Sequence, residues 1–178
     1  VMHQPRPRVE WGQAALELGI SSGVYVLGSA ALFAGELVPI IISELFGAHD
    51  VSNVLLDVFS LGNAVVLPLA TTIALEKTKA YSRHYELEGL GWWATYGSGV
   101  VLQLISAGIT ISTLNVQNLQ VAPHLVVFGA LTPVTQTVVA NALATPRDPL
   151  APLEAHAPLL LDGDGRPIRV VRVLSISF

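Results

Sequence analysis

The chain has 178 residues, of which 52% are hydrophobic and only 12% charged, with a mean hydropathy of +0.59; a soluble domain carries about a quarter charged residues, so the composition is that of a membrane protein. Thirteen acidic against nine basic side chains leave a net charge of −4, and so no basic field to attract nucleic acid. Cysteine is absent, which removes disulfides, thiolate catalysis and Cys-ligated metals together.

Residues 1–17 read as a polar N-terminal segment. It begins VMHQPRPR rather than with Met, so a preceding segment is expected to have been removed by export processing or truncation. A membrane domain follows over 18–143, with four apolar stretches near 18–42, 54–75, 90–114 and 121–143. Each of these is long enough, at about 1.5 Å rise per residue, to cross a hydrocarbon core of about 30 Å as a helix. Glu17, Glu44 and Asp57 are expected near span ends, reaching the headgroups, and Asp50 or Ser52 caps the second helix. Trp92, Trp93 and Tyr96 open the third span as an interfacial aromatic anchor. Small or weakly polar residues recur four apart: Gly19 and Gly23 in the first span, Gly62, Val66, Ala70 and Ala74 in the second, Gly129, Pro133, Thr137 and Asn141 in the fourth. Such stripes predict close helix-to-helix packing.

The basic residues fall in three places. Arg6 and Arg8 precede the first span, Lys77, Lys79 and Arg83 separate the second from the third, and Arg147, Arg166, Arg169 and Arg172 follow the fourth. Four helices would then place every Lys and Arg on one side, the side expected to be cytoplasmic; cleavage of a leader would reverse the orientation. Residues 144–157 form a linker broken by Pro146, Pro149 and Pro152. In residues 158–178 an Asp-Gly pair between two apolar runs predicts an extramembrane β-hairpin. Its second strand, with Arg172, Leu174, Ile176 and Phe178, has an edge to which a partner chain or a second copy could pair.

An eight-stranded transmembrane barrel is the alternative fold, since each apolar stretch could instead supply two strands of about 9 to 11 residues. Leu16, Leu18, Ile20, Val24 and Val26 would then face lipid. The closing RVLSISF supports it, because it resembles the C-terminal strand of outer-membrane barrel proteins, which ends in Phe after alternating apolar positions. Against it, segments such as VPIII and AVVLPLA are apolar on both faces. The run PLATTIALEKTKAYSRHYELEGLGWWATYGSG, followed by a Gly/Pro-containing fourth stretch and LLLDGDG, resembles exported glycine-zipper membrane proteins of unknown function. Many glycines of that pattern are Ala, Ser or Val here. The resemblance implies export to a bacterial cell envelope, in the inner or outer membrane, and no particular activity.

Ionisable and polar groups within apolar spans are the default functional candidates, because a mid-bilayer charge costs about 2.5 to 3.5 kcal/mol or more. Glu36, just before the kink-prone Pro39, is the first of them, and Gln103, Gln136 or Asn141 on other spans could pair with it. The five histidines lack metal-ligand spacing, and no hydrolase or nucleotide-binding motif is present, so no catalytic residue, cofactor or metal is expected. The function expected is that of a non-catalytic structural or accessory subunit of an envelope assembly, in contact with lipid and with other subunits or its own copies. The alternatives are a small transporter or channel using Glu36, and a structural or pore-forming outer-membrane barrel.

Overall fold

A computed structural model describes residues 11–82, 85–113 and 123–146. Helix α1 spans Trp11–Leu45, α2 His49–Ser82, α3 Gly89–Thr113 and α4 Pro123–Leu143. Strands β1 (Tyr85–Glu86) and β2 (Thr145–Pro146) pair antiparallel, Tyr85 opposite Pro146 and Glu86 opposite Thr145, which joins the α2–α3 connection to the chain leaving α4.

The side-chain pairs give the direction of each helix. Between α1 and α2, Glu17 meets Lys79, Glu36 meets Asn63 and Ser43 meets Ser52, so one helix descends as the other climbs. The same opposition holds for α1 with α4 through Glu17–Asn141 and Ser21–Thr137, and for α3 with α4 through Gln103–Thr132 and Thr110–His124. Helices α2 and α4 run parallel across the diagonal. The result is an up-down-up-down four-helix bundle.

All four helices are long and apolar enough to cross a membrane. The radial distribution of polarity agrees with that. Val26, Leu27, Phe33, Val58, Val101, Val126 and Val138 are exposed, whereas Ser21, Thr71, Thr72, Thr95, Thr132 and Gln136 are buried. In water that exterior would be an apolar surface far larger than a soluble monomer carries; against hydrocarbon it needs no cover, and the polar groups turn inward to find partners. The chain is an all-α membrane protein. The barrel alternative is overturned, because residues 16–26, its best candidate strand, lie inside α1, and backbone polar groups in hydrocarbon are satisfied just as fully within a helix.

The helices run beyond the expected spans: α1 already begins at Trp11 within the segment read as polar, and α2 continues to Ser82 rather than ending near residue 75. Glu17 and Lys79, which looked like boundaries, face each other inside the bundle and give the helices no reason to stop. The α1–α2 turn is tight. Gly47 takes a left-handed φ of 70°, its amide donates to Glu44 O at 2.9 Å, and the amide of Ala48 donates to Ser43 O at 2.9 Å, a Schellman end. Ser52 does not cap α2. Its hydroxyl lies 2.6 Å from Ser43 Oγ and donates back to Ala48 O, tying the turn together, while Asp50 stands in the first turn of α2 beside the positive end of the helix dipole. The expected C-terminal hairpin, residues 158–178, and most of the linker lie outside the described residues.

Candidate intramembrane polar site

Three helices converge on one buried ion pair. Glu17 lies about 9 Å inside α1 at about 1.5 Å per residue, and Lys79 lies in the last turn of α2. Lys79 Nζ donates to both Glu17 carboxylate oxygens at 3.1 Å and to Asn141 Oδ1 of α4 at 3.2 Å. Asn141 Nδ2 closes the ring, donating to Glu17 Oε2 at 2.7 Å, and Gln13 Nε2, one turn earlier on α1, donates to Glu17 Oε1 at 2.9 Å. The Lys79 and Glu17 side chains are 1% and 0% exposed. Such burial is tolerable only because opposite charges meet and the carboxylate oxygens are filled by N–H donors.

Further polar contacts continue along the bundle. One turn on, Ser21 Oγ and Thr137 Oγ1 lie 3.2 Å apart between α1 and α4. Deeper still, Gln136 of α4 is saturated: Thr71 donates to its Oε1, and its Nε2 donates to Pro68 O and Thr72 Oγ1 at 3.0 Å and to Thr95 O at 3.3 Å. Pro68 cannot donate to the carbonyl one turn back, and its own carbonyl collects the Thr72 hydroxyl at 2.7 Å as well. Gly99 of α3 makes room for this knot, since a Cβ there would stand 2.5 Å from Gln136 Nε2 and 2.9 Å from Pro68 Cβ. Next, Gln103 Nε2 donates to Thr132 Oγ1 at 2.7 Å, and near the far end Thr110 meets His124 at 3.0 Å.

Glu36 stands apart from this interior. It is half-buried on the α1–α2 seam, where Asn63 Nδ2 donates to its Oε2 at 3.2 Å. The structure therefore does not bring it to Gln103, Gln136 or Asn141, each of which has the partners just described. Glu17, expected among solvated boundary groups, is instead fully buried, because Lys79 cancels its charge. Glu44 does lie in the last turn of α1, 2.7 Å from His49 Nδ1. The candidate partner strand with Arg172, Leu174, Ile176 and Phe178 lies outside the described residues.

Sequence reasoning missed the Glu17–Lys79 pair, although a signal existed. Gln13, Glu17 and Ser21 fall four apart on α1, Thr72 and Lys79 seven apart on α2, and Thr137 and Asn141 four apart on α4. Polar stripes at helical spacing on three helices mark faces that turn toward one another. Chemically, the ring binds three helices together and carries no net charge. No protein-family model, no curated protein and no solved structure matches the chain.

Proposed function

We propose that the chain is a non-catalytic, membrane-embedded structural or accessory subunit of a bacterial cell-envelope assembly. The observation that carries this reading is the closed ring of Glu17, Lys79 and Asn141, to which Gln13 adds a further donor, so that the buried charges are bonded to each other and to amides. A permeation path needs polar groups with capacity left for a passing ion or water. At the ring and at Gln136 that capacity goes to joining helices: Gln136 alone binds α4 to α2 and α3. Such a bundle serves as a stable anchor, and its outer apolar surface meets lipid. What it would offer to another protein is the segment after α4, where the Asp-Gly pair and apolar alternation in the sequence of residues 158–178 predict a hairpin edge for a partner or a second copy. The resemblance of the α2–α3 region to exported glycine-zipper proteins supports placement in the envelope.

The test is deletion of residues 159–178. Solubilised in mild detergent from its own membranes, the full chain should migrate as part of a larger assembly, and the truncated chain as a smaller particle of unchanged helicity. If the assembly persists without those residues, the reading fails.

A further inference from the structure

A second site lies outside the bundle interior, where α2 ends and α3 begins. An open cleft of about 480 Å³ is lined there by Glu76, Leu87, Glu88, Gly89, Trp92 and Trp93. Leu87 is buried, whereas Trp93 is 64% exposed and Glu88 exposed. The Trp92 and Trp93 rings meet nearly at right angles, 79° between planes with centroids 4.9 Å apart, and Tyr96 packs against both.

The chemistry of this lining is selective. The exposed Trp93 indole adds an electron-rich aromatic surface, and of the two carboxylates only that of Glu76 has a lysine beside it, so the lining stays net negative and attracts a cation over an anion. Small hard cations gain little, because indole faces cannot replace their water, whereas an alkylammonium group is weakly hydrated and fits an aromatic corner. An ordinary interfacial tryptophan points its N–H at lipid headgroups. Trp92 does not: its Nε1 donates to Glu76 Oε2 at 2.9 Å, which fixes ring and carboxylate against each other, while its ring packs on Leu75, Leu87 and Ala140 and the exposed indole of the cleft is that of Trp93. Lys77, 74% exposed with Nζ 3.6 Å from Glu76 Oε1, places one positive charge at the same rim, complementary to the phosphate of a zwitterionic headgroup.

We infer that the cleft bounded by Trp92, Trp93, Glu76 and Glu88 binds an alkylammonium group, carried either by a zwitterionic phospholipid headgroup or by a free organic cation. This site is independent of the anchoring role proposed above.

The experiment uses the full chain in an uncharged maltoside detergent, with Trp11→Phe introduced so that indole emission reports on the cleft. Tetramethylammonium chloride should shift the emission saturably where sodium chloride of equal ionic strength does not. Glu88→Gln and Trp93→Ala, both at exposed positions, should each weaken binding roughly tenfold with helicity unchanged. Dihexanoylphosphatidylcholine and dihexanoylphosphatidylglycerol then separate the sources. Tighter binding of the phosphatidylcholine than of tetramethylammonium assigns the site to lipid, and equal binding assigns it to a free cation; either upholds an ammonium site. The inference is overturned if sodium matches tetramethylammonium, if phosphatidylglycerol binds as well as phosphatidylcholine, or if affinity survives both substitutions.

Discussion

Helix α1 carries two carboxylates in opposite circumstances. Glu17 is wholly buried among Lys79, Asn141 and Gln13, whereas Glu36 is half-buried beside a single amide from Asn63. The two seams differ in what the facing helices supply. Near Glu17, α2 brings a cation and α4 an amide, so charge and lone pairs are both satisfied and the group can leave solvent and lipid entirely. Near Glu36, α2 brings one carboxamide, and burial stops halfway. Depth of burial in this bundle thus follows the completeness of the polar partners rather than the polarity of the residue itself.

The largest loss of stability is expected at the ion pair. Lys79→Met leaves Glu17 buried and uncompensated, and should lower stability by about 3 to 5 kcal/mol. The double variant Glu17→Leu/Lys79→Met, which removes both charges, should recover most of that loss. Unfolding by sodium dodecyl sulfate in mixed micelles, followed by far-ultraviolet circular dichroism, measures both; equal losses in the single and double variants would show that the pair is not the determinant. Next in size is Gly99→Ala, which forces a methyl group into the Gln136–Pro68 knot and should cost about 1 to 3 kcal/mol in the same assay. The smallest effect belongs to Glu36→Gln. It keeps an acceptor for Asn63 and should change stability by less than about 1 kcal/mol. Proton-dependent flux across reconstituted vesicles should be the same for this variant and the parent chain; flux lost on substitution would move the function toward transport.

The four helices were legible because each apolar run is long enough to cross hydrocarbon and no barrel-like alternation holds through segments such as VPIII. Three interior amides, Gln103, Gln136 and Asn141, were also legible as polar groups in apolar surroundings. Their partners were not. Lys79 lies 62 residues from Glu17, and an isolated charge in an apolar chain reads as the end of a span because alone it would be costly inside one. Only the fold makes the two a neutral unit. Glu36 drew attention for the same reason, yet its partner is Asn63, a carboxamide of the second span that the sequence reading did not single out. The Trp92 and Trp93 pair read as an anchor, and nothing in the sequence indicated that an indole N–H would be turned to Glu76.

The tight turn at Gly47 bears on biosynthesis. With three residues, Phe46, Gly47 and Ala48, between α1 and α2, the two helices form one hairpin that leaves the ribosome ahead of α3 and α4. Both members of the Glu17–Lys79 pair lie on that hairpin, so the charges that must enter lipid together are carried by one unit. Asn141 arrives last, so the newborn hairpin waits for the fourth helix to close around it.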